Sequence, residues 1–229
     1  MPKTNIHFVG GDRGRVGKST WCCLLANYLQ ANEQPFTIVD TDTSNPNVAK
    51  AYGGVTDIQF QEVSEDAALF DFESLDGPVK IFDMASEKDL IVNLGAATQN
   101  SFLSWIEHYG VNTSTFGDST IYKWFVSNGD EASLRSLATL RSKCNYETIV
   151  VCNKGVRPTF WSESAIEQLE QQGVLCVELA AVSGRIFSAS LDQGKPLAEY
   201  YQSLNNAVFK AQYIQTIKKI NESFLEILG

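Results

Sequence analysis

Short apolar runs alternate with amphipathic stretches along most of this chain. The apolar runs are rich in Val, Ile, Leu and Phe and show little polar alternation, which is typical of parallel strands covered on both faces. They predict six strands, at residues 6–10, 36–40, 90–94, 121–127, 148–153 and 174–179. Apolar positions at helical spacing predict helices between them, near residues 18–32, 99–109, 130–142 and 162–172.

Strands that alternate with helices predict an α/β fold, a doubly wound and mostly parallel sheet with helices on both faces. The chain contains no internal repeat, low-complexity tract or proline-rich linker, so residues 1–229 are expected to form a single domain. Apolar residues three or four positions apart predict a long C-terminal helix over residues 204–228. We expect this helix to pack on the sheet, although membrane-surface helices carry similar stripes.

Residues 56–88 carry the weakest pattern. The apolar segment "VKIFDMAS", which contains Asp83, competes with residues 90–94 for the third strand. The two segments lie too close together to be neighbouring parallel strands, because a crossover needs about a dozen residues or more. We therefore assign the third strand to residues 90–94.

Composition narrows the class of protein. At 229 residues with 44% hydrophobic side chains, the chain can bury one sizeable core. Its net charge of −9 disfavours strong nonspecific attraction to nucleic acid or anionic lipid. The five cysteines lack metal-ligand spacing and are interpreted as packing residues of a reducing compartment. No signal segment or membrane-spanning run is visible, so a cytoplasmic location is expected.

A glycine-rich loop, "GGDRGRVGKST" at residues 10–20, lies between the first predicted strand and the first predicted helix. In this context backbone N–H groups and the helix N-terminus can surround phosphates. Lys18 would reach the outer phosphates, and the Ser19 hydroxyl would ligate Mg²⁺. Asp12 stands where such a loop normally has its first glycine. The candidate nucleotide-binding residues are Gly14, Arg15, Val16, Gly17, Lys18, Ser19 and Thr20.

The stretch "RGRVGKST" resembles the deviant Walker A motif of the ParA/MinD ATPases, written KGGVGKTT. The resemblance implies a P-loop NTPase fold that binds ATP and Mg²⁺. Arg13 falls on the family's signature lysine, which contacts the partner's phosphates across a nucleotide-sandwiched dimer. An arginine can make such contacts with a planar fork of donors rather than a point charge. The resemblance therefore implies an ATP-dependent homodimer, with Arg13 and Lys18 as catalytic candidates.

The segment "FTIVDTDTSNPNVAKAYG" resembles the second conserved element of that family, where an Asp after the strand orients the attacking water and contacts the magnesium shell. Asp40 and Asp42 are both candidates. Paired carboxylates at a strand end can hold metal-bound water and position a nucleophile. Either Asp could orient the water; Asp40 is the preferred catalytic candidate, and Asp42 is a metal candidate. The alternative is that they cap a turn ending at Pro46.

The third strand, in "DLIVNLGAAT", ends in Asn93 where the Walker B motif of the family has Asp. An amide oxygen can accept a hydrogen bond from a magnesium-bound water but lacks the charge that tightens the metal shell. Asn93 is therefore a metal-site candidate that predicts slow or absent hydrolysis. The segment that follows it also resembles ParA-like proteins of mobilisable plasmids, of the TraL/MobD/StbB type.

The fifth strand, in "TIVVCNKG", ends in Asn153, where the family has an adenine-contacting Asn. The guanine-specific motif would place Asp at position 156, but Val156 is there, so ATP is expected over GTP. In the family, backbone near Ala181 and Val182 would flank the adenine.

The resemblance implies a nucleotide-dependent dimer switch in plasmid partition, mobilisation or cargo positioning. An adaptor or cargo protein is the expected partner, contact with DNA is expected to be weak or indirect, and no membrane binding is expected. Asn93 and Asp12 favour an alternative, an ATP-binding interaction module that does not hydrolyse. A small-molecule kinase or a dethiobiotin-synthetase-like enzyme is a third hypothesis, for which the sequence shows no acceptor-binding constellation.

Overall fold

The computed structural model describes residues 4–11, 13–42, 45–55, 80–96, 98–111, 115–180 and 184–229. Its strands are β1 Thr4–Gly10, β2 Phe36–Asp40, β3 Asp89–Asn93, β4 Thr115–Phe116, β5 Ser119–Ser127, β6 Glu147–Asn153 and β7 Leu175–Leu179. Its helices are α1 Lys18–Ala31, α2 Asn47–Tyr52, α3 over residues 80–85, α4 Gln99–His108, α5 Glu131–Lys143, α6 Glu163–Gln171, α7 Gly184–Asp192, α8 Leu197–Ser203 and α9 Ala207–Leu228.

Six of the strands form a parallel sheet in the order β2-β3-β1-β5-β6-β7. The short β4 pairs antiparallel with the start of β5. The chain leaves β1 toward one side of the sheet to form β2 and β3, and later forms β5 on the other side. The carboxyl ends of β1 and β3 therefore meet at the point where the strand order reverses, which is where open α/β sheets bind ligands.

The sheet is buried on both faces, as its apolar strands predict. One face packs against α1, α2, α7, α8 and α9, with Trp21, Trp124 and Phe224 at its centre. The other face packs against α3, α4, α5 and α6, with Phe8 and Phe102 in ring contact. The predicted doubly wound α/β fold is confirmed.

The predicted strands and helices lie where the apolar pattern put them, within about two residues. Asp83 lies on α3, so the assignment of the third strand to the following segment is confirmed. Four of the five cysteines are buried, as expected of packing residues. The apolar pattern did not predict the shorter elements α2, α3, α7, α8 and β4.

The C-terminal helix differs in part from its prediction. Residues 204–206 are not helical. Asn206 caps α9 by accepting hydrogen bonds from two backbone N–H groups. Ile220 and Phe224 are buried against the sheet, but Val208, also counted in the apolar stripe, is 63% exposed. No described helix is long and apolar enough to cross a membrane.

One core residue is out of keeping with its surroundings. Lys123 lies on β5 between Ile121 and Phe125, facing α4 and α5, and its side chain is fully buried. Burial lowers the pKa of its ammonium group to about 7. The Nζ atom has no hydrogen-bond partner among the described residues. A charge without a partner in an apolar core destabilises the folded state.

We expect Lys123→Met to raise the free energy of unfolding at pH 7 by ~2–4 kcal/mol. Because the pKa is lowered on folding, the unfolded wild-type chain holds more protons between about pH 7 and the ordinary lysine pKa of 10.5. Wild-type stability should therefore rise with pH across that window relative to the variant. Urea unfolding at several pH values measures both effects, and a variant that is less stable at pH 7 would contradict the prediction.

Candidate functional site

The loop between β1 and α1 has the backbone of a phosphate-binding turn. Arg15 and Gly17 adopt left-handed conformations, with φ of 61° and 104°. A Cβ on Gly17 would lie 2.5 Å from Nδ2 of Asn153, and one on Gly11 would lie 2.4 Å from the carbonyl oxygen of Val126. The loop is therefore pressed onto the ends of β5 and β6, and glycine is required at both contact points.

The N-terminus of α1 has the features of an anion site. Its N-cap residue is Gly17, no side chain of the described residues caps it, and the first turn contains no acidic residue. Lys18 is the first helical residue, and its Nζ donates a 2.7 Å hydrogen bond to the carbonyl oxygen of Arg13 on the loop. Ser19 and Thr20 follow and are half-buried. Backbone N–H groups, a helix dipole and an ammonium group thus converge at one place, and this set suits a polyphosphate.

Asn153 supports the loop from the end of β6. Its Nδ2 donates to the carbonyl oxygen of Val16 at 2.8 Å, and its Oδ1 accepts from the backbone N–H of Gly155 at 2.8 Å. The adenine-contacting candidate therefore makes two hydrogen bonds within the protein, one of which fixes the loop.

A cavity of about 140 Å³ lies beside this loop. The residues around it include Arg15, Gly17, Thr20, Asn153, Leu179 and Phe187. Gly14 lies on the exposed side of the loop. Asp12, Ala181 and Val182 lie outside the described residues, although Ala180, which precedes the last two, also lines the cavity.

Asp40 and Asn93 form a buried pair at the ends of β2 and β3. Asn93 Nδ2 donates to Asp40 Oδ1 at 2.9 Å, and Asn93 Oδ1 accepts a 3.6 Å hydrogen bond from the Cys22 thiol. Asp40 Oδ2 accepts from the backbone N–H groups of Val48 and Ala49 at 3.1 and 3.3 Å, which holds the N-terminus of α2. Burial raises the pKa of Asp40, and these hydrogen bonds oppose the rise.

The Asn93 amide explains how Asp40 is tolerated in this position. Asp40 is fully buried, and an amide donor beside it stabilises the ionised form. An Asp at position 93 would instead place two carboxylates side by side. The metal candidate Asn93 is thus 3% exposed and bonded through both ends of its amide.

Asp42 lies two residues farther along and is half-buried. Its Oδ1 accepts a 3.2 Å hydrogen bond from the backbone N–H of Asn45. Between the two acidic residues, the Thr41 hydroxyl donates to the carbonyl oxygen of Asn93 and accepts from the N–H of Gly95, both at 3.0 Å. The ends of β2 and β3 are therefore tied to each other at the edge where a ligand would lie.

The described residues contain no cluster of three His, Cys, Asp or Glu side chains able to hold a metal ion. Mg²⁺ does not need such a cluster, because it usually keeps several waters and is bound through one or two side chains and the phosphates of a nucleotide. The Ser19 hydroxyl and the Asp42 carboxylate are donors of this kind.

Arg13 is half exposed and forms an ion pair with Asp130, with 2.6 Å between Nη1 and Oδ2. Asp130 is also the N-cap of α5, where it accepts from the N–H of Ser133. The residue at the signature-lysine position is thus held by its own chain.

Sequence reasoning missed Asp130, Thr41 and Cys22 as neighbours of the site. Asp130 precedes a predicted helix, so its capping role was visible in the sequence, but its pairing with Arg13 depends on tertiary contact.

No family model matches the chain. Over 98 residues it is 31% identical to the protein MobD of Acidithiobacillus ferrooxidans, a match that covers 42% of this chain and 39% of MobD. The chain therefore spans less than half the length of the curated relative it matches.

Among solved structures, MinD of Pyrococcus horikoshii in complex with Mg-ADP superposes with a TM-score of 0.61 at 13% identity, over 99% of this chain and 97% of MinD. The chain has the MinD fold. A nucleotide-binding protein of Archaeoglobus fulgidus in complex with ADP gives a TM-score of 0.56 at 18% identity, over 86% and 88% of the two chains. The resemblance to ParA/MinD proteins predicted from the loop is confirmed at the level of the MinD fold.

We expect Asp40→Asn to lower the free energy of unfolding by ~1–3 kcal/mol, because an amide group would face backbone N–H donors of α2 or the Asn93 amide. Asp42→Asn is the matched control. It keeps an oxygen toward Asn45, so its stability should stay within ~1 kcal/mol of wild type. Thermal or urea unfolding of both variants checks this. Equal losses would show that the buried carboxylate has no special structural role.

Proposed function

We propose that this chain is a ParA/MinD-like ATPase that binds Mg-ATP on the loop between β1 and α1. The bound nucleotide favours a homodimer, and hydrolysis of the nucleotide lets the two protomers separate. The observation that carries the proposal is the convergence of Lys18, the N-terminus of α1 with Gly17 as its N-cap, and the left-handed loop residues at the carboxyl edge of β1. The Mg-ADP and ADP complexes of the two solved structures with this fold support it.

Each part of the nucleotide has candidate contacts. Backbone N–H groups of the loop and Lys18 would hold the phosphates, and Ser19 with Asp42 would hold the Mg²⁺ shell. When bound, the metal neutralises the charge of the phosphates. The cavity beside Asn153 would hold the base, with the backbone near Ala181 and Val182 on its other side.

Asp40 is the candidate for orienting the attacking water. Its carboxylate is held by α2 and Asn93, so any such action requires that it stay ionised while buried. Asp42 is the alternative, since it is less buried and lies at the same edge.

The dimer is proposed from Arg13, whose guanidinium is half exposed. In a dimer the guanidinium would exchange Asp130 for the phosphates held by the partner, because an arginine fork binds either anion with two parallel hydrogen bonds. Loss of the terminal phosphate would remove that contact and favour separation.

The biological output proposed is plasmid mobilisation, partition or the positioning of another cargo through an adaptor protein. The partial match to MobD supports mobilisation among these. The net charge of −9 favours an indirect rather than a direct contact with DNA.

A second candidate function is an ATP-binding module that does not hydrolyse. The neutral Asn93 at the end of β3 favours it, because the amide is used inside the protein and supplies no charge to a metal shell. In that case, exchange of nucleotide, rather than its hydrolysis, would reset the dimer.

We expect Lys18→Ala to weaken Mg-ATP binding by ~10–100-fold, the loss of a charge-assisted contact to phosphate. Lys218→Ala, which removes an exposed lysine of α9, is the control and should bind as wild type does. Isothermal titration measures both. Unchanged affinity in Lys18→Ala would overturn the proposed site.

Phosphate release with saturating Mg-ATP separates the two candidate functions. Turnover that is abolished in Asp40→Asn or Asp42→Asn, in protein that still binds nucleotide, supports the ATPase and identifies the carboxylate. Binding without turnover in the wild type supports the non-hydrolysing module.

We expect Mg-ATP to convert wild-type protein to a dimer in analytical ultracentrifugation, and Arg13→Ala to remain monomeric while binding nucleotide within ~3-fold of wild type. Arg141→Ala, an exposed arginine at the end of α5, should dimerise normally. A dimer of undiminished stability in Arg13→Ala would contradict the role assigned to this arginine.

A further inference from the structure

Lys123 is a buried cation directed toward the loop. In the sheet it lies beside Phe8 of β1, but its Nζ lies next to Gly10, two residues nearer the carboxyl edge. A Cβ on Gly10 would lie 2.3 Å from that Nζ and 3.1 Å from the side chain of Leu94. The side chain therefore runs along β1 and ends beneath the residue from which the loop departs.

Nζ of Lys123 contacts an aromatic ring and has no hydrogen-bond partner among the described residues. The ammonium lies over the ring of Phe102, 4.5 Å from its centroid, which supplies a weak cation–π contact. One turn earlier on α4, both polar atoms of the buried Gln99 amide also lack a hydrogen-bond partner among the described residues. The core next to the loop thus contains two polar groups that the described fold leaves unused.

Among the described residues, no carboxylate compensates the charge of Lys123. The titratable groups that act on it are Cys144, Lys18 and Cys22, and none of them is a carboxylate. Burial raises the pKa of both thiols, so they are neutral near pH 7. Lys18 lowers the pKa of Lys123 further, because its positive charge repels a proton on Lys123. The positive charges of Lys18 and Lys123 therefore repel each other.

We propose that Lys123 is the internal countercharge of the phosphate site, a buried amine that takes up a proton and becomes an ammonium when a polyphosphate binds to the loop. This inference rests on the proposed nucleotide site. A nucleotide on the loop would attract a proton to Lys123 and screen the repulsion from Lys18. Electrostatic effects of this kind extend beyond direct contact, because the intervening core has a low dielectric constant.

The lowered pKa of Lys123 predicts how nucleotide affinity depends on pH. Without nucleotide, Lys123 has a pKa of about 7 and is largely neutral at pH 8. A bound polyphosphate raises that pKa, so binding at pH 8 takes up protons and nucleotide affinity falls as pH rises above 7. In a variant without the amine, this part of the pH dependence disappears.

The test is calorimetric titration with Mg-ADP, which avoids turnover. At pH 8, binding enthalpies in two buffers of different ionisation enthalpy give the number of protons taken up. We expect uptake of a substantial fraction of one proton by the wild type beyond that of Lys123→Met. We also expect the wild-type Kd to rise by about tenfold more than that of the variant between pH 6.5 and pH 9, which corresponds to a pKa raised by about one unit.

Lys218→Met is the matched control, since it removes one exposed lysine and should keep the wild-type proton uptake and pH dependence. Equal proton uptake by the wild type and Lys123→Met would overturn the inference while leaving the nucleotide site intact. Failure of the wild type to bind Mg-ADP at any pH would overturn the proposed function itself. If Lys123→Met did not fold, the two-buffer measurement on wild type would still decide, because absence of proton uptake at pH 8 contradicts the inference.

Discussion

The tight contact between the loop and the ends of β5 and β6 is the constraint on which the rest of this site depends. Glycine at positions 11 and 17 lets the loop backbone approach Val126 and Asn153 more closely than any side chain would allow. The hydrogen bond from Asn153 to the carbonyl oxygen of Val16 then fixes the turn. With its inner surface held in this way, the loop presents Lys18 and the start of α1 at the carboxyl edge of the sheet. The arrangement is preorganised, so little ordering entropy would be lost on binding an anion.

The fold could be predicted from the sequence because buried parallel strands require continuous apolar runs, and this requirement is local. The loop was also visible, since glycine spacing and a lysine before a helix are local signals. The roles of polar residues were less accessible. The family pattern makes Asn153 a base-contacting candidate, whereas the hydrogen bond from its amide to the loop joins residues 137 positions apart and has no local sequence signal. Asp40 likewise accepts hydrogen bonds from the backbone of Val48 and Ala49 at the start of α2. Lys123 gives no sequence signal that separates it from an exposed strand residue.

The pairing of Asp40 with Asn93 shows how a departure from a family pattern can be locally consistent. A second carboxylate at position 93 would repel the first unless a cation lay between them, whereas an amide donates to it directly. Asn93 therefore holds Asp40 in place without adding a second negative charge. Cys22 completes the arrangement by donating to the other end of the amide. The result is a hydrogen-bonded chain that joins α1, β3 and β2.

The same carboxylate has a mechanical consequence through α2. Tyr52, at the last position of that helix, donates to the carbonyl oxygen of Cys23 on α1 at 3.3 Å and accepts from the N–H of Leu197 on α8 at 3.1 Å. Asp40 thus holds one end of this six-residue helix, and Tyr52 links its other end to α1 and α8. A displacement of the Asp40 carboxylate would therefore act first on the start of α2, and through Tyr52 on the first residue of α8.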